Sequence, residues 1–312
     1  MKRALSEFTR LHENYPEDSA ILLSLALLEH ELGETLLASG HFDQLLARQS
    51  HTNEAHFYLG QIAETDGHMQ TAIEHYAQVG AGREFLPAQL RAAWLVNDLQ
   101  GVDAAREYLD SRRAENPDMS TELVRIEAEI LSTAGLKDDA LQLLSTALSV
   151  SPDNVDLLYT RAMLAEQVDN LAMLEQDLRT IIRLQPDHAE ALNALGYTLA
   201  DRTERWSEAL PLIRRAMELS PDNPAVIDSL GWIYFRMGDF AQAGPLLAKA
   251  FSLMPDHEIA AHYGELLWLT GEQDKALGIW AAGLEQTPGS RIILRTLERL
   301  KISTDQLPAS DQ

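Results

Sequence analysis

The chain has no cysteine among its 312 residues, which excludes disulfides, thiolate metal sites and a cysteine nucleophile together. A cysteine-free chain is stable in either redox environment, so the compartment stays open. Positive charge is scarce: 25 Lys and Arg stand against 48 Asp and Glu, for a net charge of −23. Nucleic acids and anionic lipids are bound by Lys and Arg that displace counterions, so neither is expected as a partner. Glycine and proline, 17 and 12 residues, are too few for a collagen-like or low-complexity chain. No apolar run reaches the roughly 18 residues that cross a bilayer, so no direct membrane insertion is expected. The opening MKRALSEFTRLHENYPED carries basic residues with no apolar stretch behind them, so it is not a secretory signal.

Apolar residues, by contrast, make up 46% of the chain, and they recur with a fixed period. A small residue inside an apolar stretch returns as Ala26, Gly60, Ala93, Ala128, Ala162, Gly196, Gly231 and Gly264, at intervals of 33 to 35 residues. Twelve residues after each comes Ala38, Ala72, Ala105, Ala140, Leu174, Ala243 or Ala276; Ala209, thirteen after Gly196, is the one exception. A proline follows twelve further on, at 117, 152, 186, 221, 255 and 288. Three interlocked series of this constancy define a structural repeat.

Each unit reads as a helix, a tight turn, a second helix and a proline-marked exit. Ile227, Leu230, Gly231 and Tyr234 lie at i, i+3, i+4 and i+7, on one face of a helix. Gly238-Asp239 interrupts the pattern where a left-handed residue is needed. Ala243, Leu247 and Ala250 resume it, and Pro255 ends it because the residue before proline is pushed away from helical geometry. Gly231 is expected to be small because the two helices cross there, with Ala243 opposite.

The order Ile227-x2-Leu230-Gly231-x2-Tyr234, then Ala243-x3-Leu247, then Pro255 resembles the tetratricopeptide repeat. His56, Leu59, Gly60, Ala63, Ala72 and Tyr76 fit the same frame, as do Leu192, Leu195, Gly196, Leu199, Ala209, Ile213 and Pro221. The resemblance implies an all-α, right-handed α-solenoid over residues 1–301. Eight repeats are expected at about 17–50, 51–83, 84–117, 118–152, 153–186, 187–221, 222–255 and 256–288, with a capping helix at 290–301 and a frayed tail at 302–312. Two repeats depart from the pattern, through GETLLASGHFDQ in the first and Arg112 in the third. Residues 1–16 keep second-helix spacing (Ala4 to Pro16 is twelve) without a first helix, so further sequence is expected upstream.

Catalytic signatures are missing. GAG at 80–82 is followed by Arg83-Glu84 rather than Lys-Ser, and reads as a turn between repeats. His51/His56 and His257/His262 are spaced by five, which does not stack ligands on one helical face, so they read as surface or groove residues. Glu127-Ala-Glu129 reads as a solvated face and Asp138-Asp139 as a helix start. No catalytic residue, metal site or cofactor is expected.

Recognition remains. In the repeat register, the first helices present an aromatic and charged series: Phe57, Trp94, Tyr159, Asn193, Tyr197, Asp228, Trp232, Phe235, Arg236 and Trp268. Trp, Tyr and Arg dominate protein–protein hot spots, so these residues are the candidate partner-binding groove; packing between helices is the competing explanation. Some tetratricopeptide co-chaperones hold a partner's terminal carboxylate with Lys and Asn. Only Asn193 and Arg236 offer comparable chemistry here. Residues 155–288, including the DRTERW loop, resemble the C-terminal repeats of proteobacterial outer-membrane tetratricopeptide lipoproteins, in particular the lipoprotein partner of a periplasmic carboxyl-terminal processing protease. That resemblance implies a non-catalytic adaptor at the periplasmic face of the outer membrane, anchored through upstream sequence, which delivers cell-wall hydrolases to the protease. A scaffold for pilus or polysaccharide export and a cytoplasmic regulator are the alternatives.

Overall fold

The structure, a computed structural model, describes residues 1–308. Eighteen α-helices account for most of the described residues, and no strand occurs among them. A lone helix α1 (Lys2–Asn14) comes first. Eight pairs follow: α2 (Ser19–Glu31) with α3 (Thr35–Ala47), α4 (Thr52–Thr65) with α5 (Met69–Ala77), α6 (Phe85–Gln100) with α7 (Val102–Glu115), and α8 (Ser120–Thr133) with α9 (Lys137–Val150). The remaining pairs are α10 (Val155–Gln167) with α11 (Leu171–Leu184), α12 (Ala189–Arg202) with α13 (Trp206–Leu219), α14 (Pro224–Arg236) with α15 (Phe240–Leu253), and α16 (His257–Leu269) with α17 (Gln273–Gln286). A last helix, α18 (Arg291–Leu300), closes the series. The chain divides into two compact units, Met1–Pro152 and Asp153–Gln312, at a boundary between repeats.

Local sequence explains each turn of this path. In the α14–α15 connection Gly238 takes φ +79°, and Asp239 N–H donates to the Tyr234 carbonyl at 2.9 Å, closing the helix end with a left-handed residue. Asp169 adopts the same geometry at φ 62° between α10 and α11, where no glycine is available. At the other end of the repeat, α7, α9, α11, α13, α15 and α17 each stop two residues before a proline of the series. Side chains shortly after these prolines then cap the next helix: Asn154, His188, Asn223 and Asp256 each accept a backbone N–H in its first turn.

The small-residue series marks where paired helices touch. A Cβ placed on Gly60 would lie 2.6 Å from the Tyr76 ring, one on Gly196 2.5 Å from Ile213, and one on Gly231 2.8 Å from Leu247. The residue opposite each glycine is therefore four beyond the alanine of the second helix. The expectation of Ala243 facing Gly231 is corrected accordingly: Leu247 and Leu246 occupy that place. Tyr76, Ile213, Leu247 and Trp280, the equivalent partner of Gly264, are all fully buried.

Two further expectations, for Glu127 and for the tail, are corrected. Glu127 does not belong to a solvated face: it is 2% exposed and accepts from Arg106 Nε at 3.1 Å and Arg113 Nη1 at 2.6 Å, while Glu129 is exposed. Arg112, foreign to the repeat pattern, donates to the Ala77 carbonyl at 3.1 Å and lies over the Tyr108 ring. The tail from residue 302 is docked rather than frayed, because Ile302 is buried and Leu307 packs on the last core cluster; residues 309–312 lie outside the described residues. The GAG segment is a turn, held by Asn53, whose side chain accepts from Gly80 N–H and donates to the Gly80 and Ala81 carbonyls.

Candidate functional site

Besides packing on their own partners, three first helices of the second unit each meet the next helix of the stack. α12 touches α14, α14 touches α16, and α16 touches α18. Those helices share one face, and it carries six of the ten candidate residues. Asn193 and Tyr197 come from α12; Asp228, Trp232, Phe235 and Arg236 come from α14.

The centre of this face is His262 on α16. Its Nδ1 lies 2.7 Å from Asp228 Oδ2 and its Nε2 3.3 Å from the Tyr197 hydroxyl, so one imidazole joins three consecutive first helices. Burial alone would lower the His262 pKa. The Asp228 carboxylate, with Asp201 and Glu258 behind it, outweighs that and leaves it above the ordinary value. Burial, reinforced by the surrounding carboxylates, raises the Tyr197 hydroxyl well above its ordinary range. His262 is 3% exposed, so of the expected surface or groove placement only the groove holds.

The aromatic series is buried in its own contacts. Trp232 stacks on His262, with centroids 4.0 Å apart, and on Phe235 at 4.8 Å. Its indole N–H donates to Asp201 Oδ1 at 3.1 Å. Asp228, Trp232 and Phe235 are 5%, 6% and 8% exposed, so these three are not the open anchors that the register predicts. Arg236 is engaged as well, donating to the Asp201 carbonyl at 2.8 Å and to its carboxylate at 3.2 Å. The other candidates lie apart from this cluster. Tyr159 on α10 stacks on His188 at 5.8 Å, and Trp268 tilts against Trp280 at 5.9 Å. Phe57 and Trp94 belong to the first unit, where both pack on its core cluster. All four are partly exposed.

Polar pairs on this face span one repeat. Asp228 pairs with His262, Asp201 with Arg236, and Glu265 with Arg299, which donates from Nη1 at 2.7 Å and Nη2 at 2.5 Å. Glu64 and Arg91 make the corresponding pair in the first unit. His262 could have been found from the sequence: it follows Asp228 by 34 residues, one period, and so must sit beside it.

Two clefts open on the face. One, of about 260 Å³, is lined by Glu166, Asn193, Tyr197, Asp228, Asp256 and Glu258, among others. The second, of about 480 Å³, has Trp232, His262 and Glu265 on its floor and Arg291, Arg295 and Arg299 along α18. Glu258 borders both. Among the described residues no group of three or more His, Asp or Glu side chains could hold a metal ion, and no helix is long and apolar enough to cross a membrane.

Comparison with known proteins agrees with the helix pairing. The family model "Tetratricopeptide repeat" matches residues 32–83, 175–224 and 229–291, together more than half of the chain. A TPR repeat-containing protein of Pseudomonas aeruginosa is 49% identical over 211 residues, covering 68% of this chain and 36% of its own length. Cellulose synthase 2 operon protein C of Komagataeibacter xylinus is 25% identical over 292 residues, covering 91% of this chain and 20% of its own. The chain thus spans about a third or less of the length of these relatives. A tetratricopeptide repeat protein from Parabacteroides merdae superposes with a TM-score of 0.58 at 17% identity, over 79% of this chain and 98% of its own, and shows the same fold. This chain belongs to the tetratricopeptide repeat family.

Proposed function

We propose that the protein is a non-catalytic scaffold that grips partner polypeptides on the face shared by α12, α14, α16 and α18. The observation that carries this reading is the pair of adjoining clefts on that face. Their floor is fixed by buried hydrogen bonds and stacked rings, while Glu166, Glu258, Arg291 and Arg295 are exposed at their rims. A rigid floor lowers the entropy lost on binding, and charged rims steer encounter and set register.

The finer role we infer is that of an adaptor at the periplasmic face of the outer membrane. It would bind a carboxyl-terminal processing protease and present cell-wall hydrolases to it. Support comes from the likeness of residues 155–288 to the C-terminal repeats of lipoproteins of that kind. A second reading, a scaffold in polysaccharide export, is favoured by the long match to the cellulose synthase operon protein. Affinity capture from an envelope fraction separates the two. Recovery of a processing protease together with cell-wall hydrolases is the expected result. Recovery of export components without a protease would replace the first reading with the second.

A further inference from the structure

The smaller cleft has a chemistry that neither the fold nor the scaffold reading assigns. Four carboxylates, Glu166, Asp228, Asp256 and Glu258, line it, and no Lys or Arg does. Part of that charge is answered: His262 takes one oxygen of Asp228, and the Asp256 side chain accepts the Glu258 N–H at the start of α16. Arg202, the cation that acts on Glu166, is already paired with Asp169.

Two acceptors are left without any donor from the protein. Oδ1 of Asp228 and Oδ1 of Asn193 are buried atoms with no hydrogen-bond partner, and both residues line the cleft. A buried acceptor left unpaired carries a desolvation cost, so such atoms mark a place built to receive donors. Asp228 is 5% exposed and its other oxygen is fixed on His262, so the orphan oxygen is held in place. Loss of hydration in the cleft, followed by repulsion from Glu258 and Asp201, raises the Glu166 carboxyl above its usual range. A cation placed there would favour the ionised carboxylate again.

Size narrows the ligand. At about 260 Å³ the cleft falls below the roughly 300–1,000 Å³ of sites for drug-sized molecules, and suits one extended side chain. We infer that this cleft between α10, α12, α14 and α16 is a socket for a single basic side chain, arginine or lysine, of a bound partner polypeptide. The cation would donate to Asp228 Oδ1 and Asn193 Oδ1 and be flanked by Glu166 and Glu258. This rests on the scaffold reading and adds what part of a partner is recognised.

The test is calorimetric titration of the full chain with an N-acetylated, amidated peptide carrying one central arginine in an otherwise uncharged sequence. The isosteric citrulline peptide is the reference. The arginine peptide is expected to bind, and citrulline to weaken it about tenfold or more, as loss of one charge from a partly desolvated pair does. Glu166→Gln combined with Glu258→Gln alters only accessible side chains and is expected to weaken the arginine peptide by a similar factor. Asp228→Asn, checked for folding by circular dichroism, should do the same. No detectable binding, equal binding of both peptides, or indifference to the Glu166→Gln/Glu258→Gln pair would overturn the socket. Envelope partners still captured by a protein that fails this titration would refute the socket alone. A protein that passes it but captures no partner would refute the scaffold reading instead.

Discussion

Single residues decide where the helices can meet, and glycines show this most directly. Gly231→Leu drives a side chain into Leu247 and should cost about 1–3 kcal/mol or more in denaturant unfolding. Gly278 sits inside α17 with nothing within 4 Å of a Cβ, so Gly278→Ala should instead stabilise by about 0.5–1 kcal/mol. If the two changes shifted unfolding alike, the crossings would not be where the glycines place them. Charge follows the same rule of environment. Glu127→Ala would remove the buried carboxylate that Arg106 and Arg113 share, leaving Arg113 with exposed Asp110 alone, and should cost about 3 kcal/mol, whereas Glu129→Ala on the exposed side should stay within roughly 0.5 kcal/mol. The sequence alone placed Gly231 correctly, because its spacing repeats. It misplaced Glu127, because the arginines that bury it, at 106 and 113, lie on another helix and follow no period. Trp232 was read in the right register but with the wrong exposure. Truncating it removes a ring stacked on His262 and Phe235 and should cost about 3–5 kcal/mol of stability, so a Trp232→Ala binding defect would report folding before recognition.

At the scale of helices, the series of small residues, second-helix alanines and prolines was enough to place all eight pairs and the cap. The physics is local: a left-handed turn, a close crossing, a proline two residues past the helix end. What was not read, although the one-period spacing of Asp228 and His262 carried it, was how neighbouring first helices exchange hydrogen bonds. Two histidine sites make those contacts measurable by pH. On α4 and α5, His56 and His75 stand with their Nδ1 atoms 3.1 Å apart, and burial, then their mutual repulsion at His56, lowers both pKa values below 6.5. The neutral rings are the stable form, so their contribution is present above pH 6.5 and is lost as pH falls through the lowered folded values. His262 has the opposite sign. Its raised folded value means the contribution of the imidazolium–Asp228 pair is full below 6.5 and fades as pH rises through that value. Amide hydrogen exchange, corrected for intrinsic rates, should show α4–α5 loosening toward about pH 5 while α14 and α16 stay protected, with α14 and α16 loosening toward alkaline pH. Parallel behaviour of the two regions would contradict these assignments.

For the whole molecule, the repeat architecture sets both stability and use. Each repeat packs mainly on its neighbours, with the Tyr197–His262 contact reaching one repeat further, so unfolding need not be all-or-none. Tryptophan placement offers a test: Trp94 is the one tryptophan of the first unit, while Trp206, Trp232, Trp268 and Trp280 report on the second. Fluorescence therefore follows the second unit and circular dichroism both, and their urea transitions are expected not to coincide; superimposable curves would mean one cooperative block. Function at this scale was legible as a class, because a periodic helical chain without catalytic motifs leaves mainly recognition surfaces. The face proposed for it was not, because Trp232 and Phe235, which pointed to it, are buried in their own stacking. The central claim is that partners are held on the face of α12, α14, α16 and α18. A photo-crosslinking residue placed at Arg295, on the cleft rim, or at exposed Lys249, on the second helix α15, tests it most directly in an envelope fraction. Protein adducts formed from position 295 and absent from position 249 are the predicted result; adducts confined to position 249 would contradict it.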